Sequence, residues 1–477
     1  MVTAIAQDIS VPAEALHSLA ANLQGQLIRP GESGYEEARK VWNGMIDRYP
    51  ALIVRAAGVE DVVTAVNFAR DHDLLISVRG GGHNVAGHAT NDGGIVIDLS
   101  LMNQVEVHPV SHTVRAGGGA TIGDLDRATQ HVGLAVPMGV VSATGIAGLT
   151  LGGGYGWLRN KYGLSSDNLI AAEVVTADGR VIHAGEDKNA DLLWGLRGGG
   201  GNFGIVTTLE YRAHPLGPDV MFVFVFHDGR GDNMKRAIQF YRDYSAAAPD
   251  EVSTLMATGM IPPDPHHFPA EIHNVPFALF GALYAGPAAE GQKVLQPLLD
   301  FGVPLLDFSS VMPYVEAQKM FDADYPNGLR YYWKSLNLSR LDDEVIDRIV
   351  KHARRQPSPL STIDIWYIGG AVKRANEAAS AFHGRQAAFL LSPEANWERP
   401  EDDEANIAWL RDLIDDMAEF SDGSRYLNFA GFQEEGDDMM RQAFGPRYQR
   451  LAALKQKYDP DNLFRLNQNV KPGAAAL

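Results

Sequence analysis

Four clusters of glycine residues are the first feature of the sequence that could support chemistry. They are RGGGHN at 79–84, AGGGATIG at 116–123, ATGIAGLTLGGGYG at 143–156 and RGGGGNFG at 197–204. Because glycine has no side chain, a glycine-rich loop can bring backbone N–H groups close to a phosphate. The clusters therefore predict a large phosphate-containing ligand contacted by several separate loops, although tight turns alone would also use glycine.

Two common nucleotide-binding motifs are excluded. Residues 199–204 fit G-x-G-x-x-G, but they follow a predicted helix and precede a predicted strand, the reverse of the order in a Rossmann site. Neither GxxxxGK[ST] nor GxSxG occurs, so a P-loop and a serine-hydrolase nucleophile are unsupported. His83 and His88 have no carboxylate or third ligand at a metal-binding spacing, and we predict no metal site.

A carboxylate within an apolar strand is the second chemical feature. In IDIWYIGG (363–370), alternation places Asp364 and Trp366 on one face and Ile363, Ile365 and Tyr367 on the other. Burial would raise the pKa of the Asp364 carboxyl towards the range of a general base. The alternative is a salt-bridged carboxylate with a structural role in the sheet.

The elements that must position these residues fall into two regions. Before residue 215, apolar periodicity predicts a strand–helix–strand unit over 51–80, a helix over about 121–132 and a hairpin around 177–179. After residue 215 the glycine clusters end, and aromatic strands mix with helices up to a terminal helix stopped by Asp459 and Pro460. This pattern predicts a two-lobed protein of the α+β class.

Composition and charge restrict the class of partner. The 477 residues are 45% apolar and 21% charged, as in globular proteins. A formal net charge of −18 argues against nucleic acid and anionic lipid as binding partners. The sequence contains no run of about 18 consecutive apolar residues, so it predicts no membrane span. Cysteine is absent, which excludes disulfides and thiolate chemistry. We expect a cytoplasmic protein without a signal peptide whose partners are small molecules; the oligomeric state stays open.

Four motifs in order resemble those of an enzyme family. They are RGGGHNVAGHATNDGGIVIDL, SATGIAGLTLGGGYGWLRNKYGLSSDNL, RGGGGNFGIVT and YDPDNLFRLNQN. The chain resembles the FAD-linked oxidases of the vanillyl-alcohol oxidase superfamily, with a PCMH-type FAD-binding domain, and in particular bacterial members of the berberine-bridge-enzyme-like branch. The resemblance implies an FAD-binding domain over 1–215, completed by 441–477. It also implies a substrate-binding domain over 216–440, with a large antiparallel sheet backed by helices.

The resemblance implies a role for the histidine of the first glycine cluster. In this family the histidine of R-x-G-G-H is bonded to the 8α-methyl group of FAD, which implies that His83 is a covalent anchor within a loop that wraps the pyrophosphate. Relatives with a second bond have a cysteine where this chain has Val141, so a single attachment is implied. The alternative is a histidine that only forms hydrogen bonds. The implied FAD contacts are Arg79, Gly80, Gly81, Gly82, His83, Asn84, Val85, Gly139, Val140, Thr144, Gly145, Gly148, Leu149, Gly154, Val206, Asn428 and Asn467.

The identity of the catalytic base is a departure from the family pattern. Many relatives have Tyr-x-Asn-Tyr where this chain has YLNF at 426–429, and the last tyrosine is the base in several of them. Phe429 cannot accept a proton. The candidates that remain are Asp364, whose aligned strand supplies a carboxylate or tyrosine in relatives, Tyr426, or a substrate that needs no strong base.

The remaining implied residues concern the substrate and oxygen. Trp366 would form a wall of the pocket, and Tyr331 and Trp333 would line the substrate cleft, although core packing also explains strand aromatics. Thr144 is at the position that lines the approach of O2 to the flavin in the family.

Together these features predict a covalent FAD-dependent oxidase. It would transfer a hydride from an alcohol, amine or activated C–H group of a small organic substrate to flavin N5, and O2 would reoxidise the flavin to give H2O2. Two alternatives stay open. One is an oxygenating or multistep tailoring enzyme of secondary metabolism, which Phe429 slightly favours, and the other is a non-catalytic flavin-carrying binding protein.

Overall fold

The computed structural model describes residues 11–421, 423–432 and 436–473. In these ranges, four β-sheets of four, five, two and nine strands are combined with helices, which confirms the predicted α+β class. No helix of the described ranges has the length and apolar character needed to cross a membrane. The expected lack of a signal peptide rests on residues 1–23, of which residues 1–10 lie outside these ranges.

The strands have the following bounds in chain order. They are β1 Gln26–Ile28, β2 Leu52–Arg55, β3 Ile76–Arg79, β4 Ile95–Asp98, β5 Val105–His108, β6 Thr113–Gly117, β7 Leu134–Ala135, β8 Leu169–Val175, β9 Val181–Gly185, β10 Ile205–Arg212, β11 His214–Pro215, β12 Asp219–Asp228, β13 Val252–Met260, β14 Pro276–Tyr284, β15 Pro304–Asp307, β16 Ser310–Pro313, β17 Arg330–Trp333, β18 Leu336–Leu338, β19 Thr362–Tyr367 and β20 Phe389–Trp397.

The α-helices have the following bounds. They are α1 Ala13–Asn22, α2 Tyr35–Ala38, α3 Val59–Asp71, α4 Ile122–Gln130, α5 Ile146–Leu151, α6 Arg159–Tyr162, α7 Ala190–Leu196, α8 Asn233–Ala247, α9 Ala288–Leu299, α10 Tyr314–Ala317, α11 Asp343–Ala353, α12 Gly370–Arg374, α13 Asp403–Met417, α14 Asp437–Phe444 and α15 Tyr448–Tyr458.

The four-stranded sheet has the order β1-β2-β4-β3. The strand–helix–strand unit predicted over 51–80 is present as β2, α3 and β3, but these two strands are not neighbours. β4 lies between them and runs parallel to both. All four residues of β4 are buried. This burial is typical of a central strand in a parallel sheet that is covered on both faces.

The five-stranded sheet has the order β5-β6-β10-β8-β9 and is antiparallel, and β8 and β9 form the predicted hairpin. One core joins this sheet to α4, α5 and α7 and to the C-terminal helices α14 and α15, for example through Tyr211 and Leu451. Phe464, after α15, is buried in the core of the four-stranded sheet. The C-terminal segment therefore packs on the elements of the first 215 residues.

The nine-stranded sheet contains β12 to β20. Ile363 and Ile365 of β19 are buried in the core that also contains residues of α8, α11 and α13. Trp366 lies in a different core, with Leu255 and Leu390 of the neighbouring strands. The predicted alternation along β19 is thus confirmed. The domain division at residues 215 and 440 stays a prediction.

Candidate active site

The glycine-rich loops meet in a cavity of about 280 Å³, and residues of the nine-stranded sheet also line it. Most residues predicted from the sequence form its wall. They are Gly80, Gly81, Gly82, His83, Asn84, Gly139, Val140, Thr144, Gly145, Gly148, Leu149, Val206, Asn428 and Asn467, together with Trp333, Trp366, Tyr426 and Phe429.

Bare backbone forms much of this wall. A Cβ atom built at Gly81 would lie 2.3 Å from the backbone nitrogen of Gly145, so these two loops pack backbone against backbone. At Gly148 and Gly201, by contrast, an added Cβ would meet no atom within 4 Å, so both positions leave room in the cavity. Such a surface fits a ligand whose phosphates are contacted by backbone N–H groups, as the phosphates of FAD would be.

A buried ion pair positions the C-terminal segment against the cavity. Lys455 Nζ lies 2.7 Å from Asp459 Oδ2, and both side chains are fully buried. The same ammonium group donates to the carbonyl oxygens of Asn202 and Phe464, both at 2.8 Å. Because the ion pair joins α15, the fourth glycine cluster and the chain after Asp459, it places residues 464 and 466–468 in the wall.

His83 belongs to a stack of three aromatic rings. The ring of Trp42 lies on His83 with centroids 5.0 Å apart and an interplanar angle of 15°, and on Tyr331 with 3.6 Å and 14°. Nδ1 of His83 lies 3.4 Å from Oγ1 of Thr144. Burial lowers the pKa of His83 to about 4, so the imidazole is neutral near pH 7 and keeps the lone pair of one ring nitrogen.

Glu394 of β20 is a site residue that the sequence did not predict. It lies opposite Trp333 of β17 and Thr362 of β19, and its Oε2 accepts a hydrogen bond of 2.7 Å from the hydroxyl of Tyr325. Among the described residues it is the only Asp, Glu, Lys or Arg in the cavity wall. Burial raises the pKa of the Glu394 carboxyl to about 7.

Asp364 lies beside Glu394 but outside the wall. It is paired with Ser392, two residues from Glu394 on β20, so both carboxyl groups are on the same face of the sheet. Its Oδ1 is buried without a hydrogen-bond partner. Burial, followed by the negative charge of Glu394, raises the pKa of Asp364 well above its usual range.

The Tyr426 hydroxyl is directed at the backbone of the third glycine cluster. It accepts hydrogen bonds from Nδ2 of Asn428 at 2.9 Å and from the backbone N–H of Gly154 at 3.1 Å. Burial raises the pKa of Tyr426 to about 12. The ring of Phe429 lies edge-on to Tyr426, at 4.8 Å, and to Trp333, at 5.6 Å. Phe429 therefore adds an apolar surface to the cavity beside Tyr426 and Trp333.

Some predicted residues stand behind the wall rather than in it. The guanidinium group of Arg79 is buried, donates to the carbonyl oxygen of Ala38 and lies 4.0 Å from Asp98. A Cβ atom at Gly154 would collide with Ser165, which explains this glycine by packing within the protein.

Val85 and Tyr331 are also absent from the wall, and both pack against its residues Trp42 and Trp333 in one buried cluster. Trp42 itself and Tyr325 are wall residues that the sequence analysis missed, because single aromatic residues outside a periodic pattern give no signal. The sequence analysis identified the fourth glycine cluster but predicted none of its glycines as contacts of the ligand. Four of them line the cavity: Gly198, Gly200, Gly201 and Gly204.

Comparison with known proteins identifies the family. The model described as "FAD binding domain" matches residues 50–185, and the model described as "Berberine and berberine like" matches residues 425–471. The (R)-6-hydroxynicotine oxidase of Paenarthrobacter nicotinovorans is 30% identical over 465 residues, covering 94% of this chain and 97% of that protein. The chain belongs to the berberine-like family of FAD-linked oxidoreductases.

Solved structures of berberine-like oxidases share the fold of this chain. The 6-hydroxy-D-nicotine oxidase of Arthrobacter nicotinovorans superposes with a TM-score of 0.85 at 29% identity, covering 94% of this chain and 98% of that chain. A chitooligosaccharide oxidase gives a TM-score of 0.83 at 25% identity, covering 96% and 100%. The chain is thus an FAD-dependent oxidoreductase, and its similar proteins include oxidases named for an amine and for a sugar.

Proposed function

We propose that this berberine-like protein is an oxidase that carries FAD on His83 and removes a hydride from an alcohol, amine or activated C–H group of a small organic substrate. The observation that supports this most directly is the neutral imidazole of His83 in the same cavity wall as the buried Glu394 carboxyl. Bound FAD would supply the hydride acceptor and pass the two electrons on to O2, giving H2O2.

Covalent attachment through His83 alone is part of the proposal. Forming the bond replaces an N–H of the imidazole and a C–H of the flavin methyl group by one C–N bond, and the two protons and two electrons released pass to O2. The stack with Trp42 supports this role, because it orients the ring that must react. Val141 lines the cavity and the chain has no cysteine, so a second bond through sulfur is excluded.

Glu394 is the proposed proton acceptor. The sequence favoured Asp364, but Asp364 lies outside the wall and Glu394 lies within it. A carboxyl group with a pKa of about 7 is half ionised near neutral pH, which suits a general base. Asp364 would act through Glu394, since two adjacent buried carboxyl groups oppose each other's ionisation. Tyr426 is less suited, because burial raises its pKa to about 12 and the phenol is therefore protonated near pH 7.

The test measures both the covalent attachment of the flavin and its reduction by candidate substrates. Purified protein should be yellow and keep its colour in the acid-denatured pellet, whereas His83→Ala should release its flavin. Without air, one class among secondary alcohols, amines, sugars, N-heterocycles and polyphenols should bleach the flavin, and admitting air should restore the colour with formation of peroxide. Bleaching without recovery would instead indicate a dehydrogenase. No bleaching by any class would contradict the proposal and favour a specialised tailoring enzyme or a flavin carrier, and a colourless protein without flavin would contradict all of these functions.

A further inference from the structure

One member of a buried acidic pair, Glu394, lies in the cavity wall, and the other member, Asp364, lies beside it outside the wall. Glu394 and Asp364 are 2% and 3% exposed, and burial with no offsetting positive charge raises the pKa of both carboxyl groups. Among the wall residues of the described part of the chain there is no lysine or arginine. The remaining residues of the sequence, 1–10, 422, 433–435 and 474–477, include no lysine, arginine or histidine. No described lysine or arginine is among the groups that shift the pKa of either carboxyl, so a proton or a ligand supplies the compensating charge.

Two aromatic side chains lie beside Glu394. Trp333 is the cross-strand neighbour of Glu394, and Tyr325 both donates to Glu394 and lies edge-on to Trp333 at 5.4 Å. Trp42 packs against Trp333 at 5.2 Å, but its own faces are covered by His83 and Tyr331. Aromatic faces attract an organic cation through their quadrupoles, and the attraction grows when water is excluded. A carboxylate that is buried without a partner gains still more from a cation, because its desolvation is otherwise uncompensated.

We propose that this cavity selects substrates that carry a protonated amine, with the ammonium group bound at Glu394 beside the aromatic rings of Tyr325 and Trp333. This inference rests on the proposed oxidase function and specifies its substrate class. It also explains the simultaneous presence of a carboxyl pair and of Phe429, because an amine oxidase does not need a base strong enough for an alcohol.

The chemistry of amine oxidation fits these groups. An ammonium group must lose a proton before its lone pair can assist departure of the hydride. The Glu394 carboxylate takes that proton and leaves the neutral amine. Bound FAD would accept the hydride of the adjacent C–H, and the resulting iminium ion would be hydrolysed by water to a carbonyl compound and an amine. An ammonium group is a far stronger acid than an alcohol O–H, so a carboxylate can deprotonate the first much more readily than the second.

The test compares substrates of the same shape and different charge. Holoenzyme without air is titrated with 1-phenylethylamine and 1-phenylethanol, and with larger amine–alcohol pairs that have an added aromatic or pyrrolidine ring, while the flavin absorbance reports binding and reduction. In at least one pair, near neutral pH, the amine should bind at least about tenfold more tightly than the alcohol or reduce the flavin at least about tenfold faster. A tenfold preference corresponds to about 1.4 kcal/mol. Glu394→Gln should remove most of this preference.

A matched variant controls for loss of charge. Glu398, four residues after Glu394, is exposed, so Glu398→Gln removes one negative charge outside the cavity and should keep the preference for the amine. No preference for the amine in any pair would overturn the inference, and so would a preference that survives in Glu394→Gln. Reduction by alcohols or sugars with peroxide formation would leave the proposed oxidase function intact, whereas absence of flavin or of any reduction would count against both. The wild-type comparison is decisive even if Glu394→Gln fails to fold.

Discussion

Trp42 and His83 are separated by a helix and two strands in the sequence, yet their rings are stacked with 5.0 Å between centroids. Trp42 is fixed in turn by Tyr331 on its other side and by a hydrogen bond of 2.9 Å from Nε1 to the carbonyl oxygen of Tyr325. The orientation of the His83 imidazole therefore depends on residues of the nine-stranded sheet. The proposed FAD anchor and the proposed substrate site are coupled through this indole.

Replacing Trp42 tests that coupling. In Trp42→Ala the imidazole loses its stacking partner, and we expect covalent attachment of FAD to become about 2- to 10-fold slower, since an aromatic pair contributes about 0.5–1.5 kcal/mol. The measurement is the time course of acid-stable flavin after FAD is added to apoprotein. Trp42→Phe should restore much of the rate, and Tyr331→Phe, which keeps its ring, should attach normally. Attachment at the wild-type rate in Trp42→Ala would show that the stack has no role.

Gly148 tests whether the bare-backbone wall binds the cofactor. Because a Cβ atom at Gly148 meets no protein atom, Gly148→Val should fold and melt close to the wild type, while its side chain occupies space in the cavity. We expect the flavin content of the purified protein to fall at least about tenfold, which corresponds to about 1.4 kcal/mol of binding. Gly302 is equally free of contacts but does not line the cavity, so Gly302→Val is the matched control and should keep its flavin. A full flavin content in Gly148→Val would place the cofactor elsewhere.

Asp126 should make stability depend on pH. It is buried in α4, accepts one hydrogen bond from Gln318 at 3.0 Å, and burial raises its pKa to about 7. Its folded pKa lies above the unfolded value of about 3.9, so its contribution is present at low pH and lost as the pH rises towards and through 7. Between about pH 5 and pH 8 the loss should be about 2–3 kcal/mol.

Asp126→Asn cannot titrate, so its melting temperature relative to the wild type should rise from pH 5 to pH 8. Equal pH dependence in the two proteins would refute the assignment. The measurement is a thermal melt of both proteins across this range of pH.

Breaking the ion pair of Lys455 and Asp459 should strongly lower the stability of the protein. Asp459→Ala leaves a buried ammonium group without its carboxylate and frees the backbone N–H groups of Leu463 and Phe464 that the carboxylate accepts from. We expect a loss of about 3–5 kcal/mol in the free energy of unfolding, together with lower flavin content. Thermal melts and flavin absorbance measure both effects. Asp461→Ala removes an exposed carboxylate two residues further on and should be neutral; similar losses in both variants would argue against the ion pair as the cause.

Local patterns in the sequence determined a large part of this protein. The four glycine clusters predicted loops that contact a large ligand, and three of them, with His83 among their residues, supply much of the cavity wall. The alternation along 363–367 correctly separated Trp366 from Ile363 and Ile365. Such predictions succeed because glycine conformations and the two-residue period of a strand are properties of a short segment, whatever surrounds it.

The tertiary structure alone decided which side chains reach the cavity. Asp364 and Glu394 share one face, but the pairing of β17, β19 and β20 brings Glu394 into the wall and leaves Asp364 behind it. Trp42 becomes a site residue because a loop near the N-terminus packs on β17, and Arg79 leaves the wall because its guanidinium lies near Asp98. Contacts between residues hundreds of positions apart depend on strand register and loop packing, and no local periodicity encodes these.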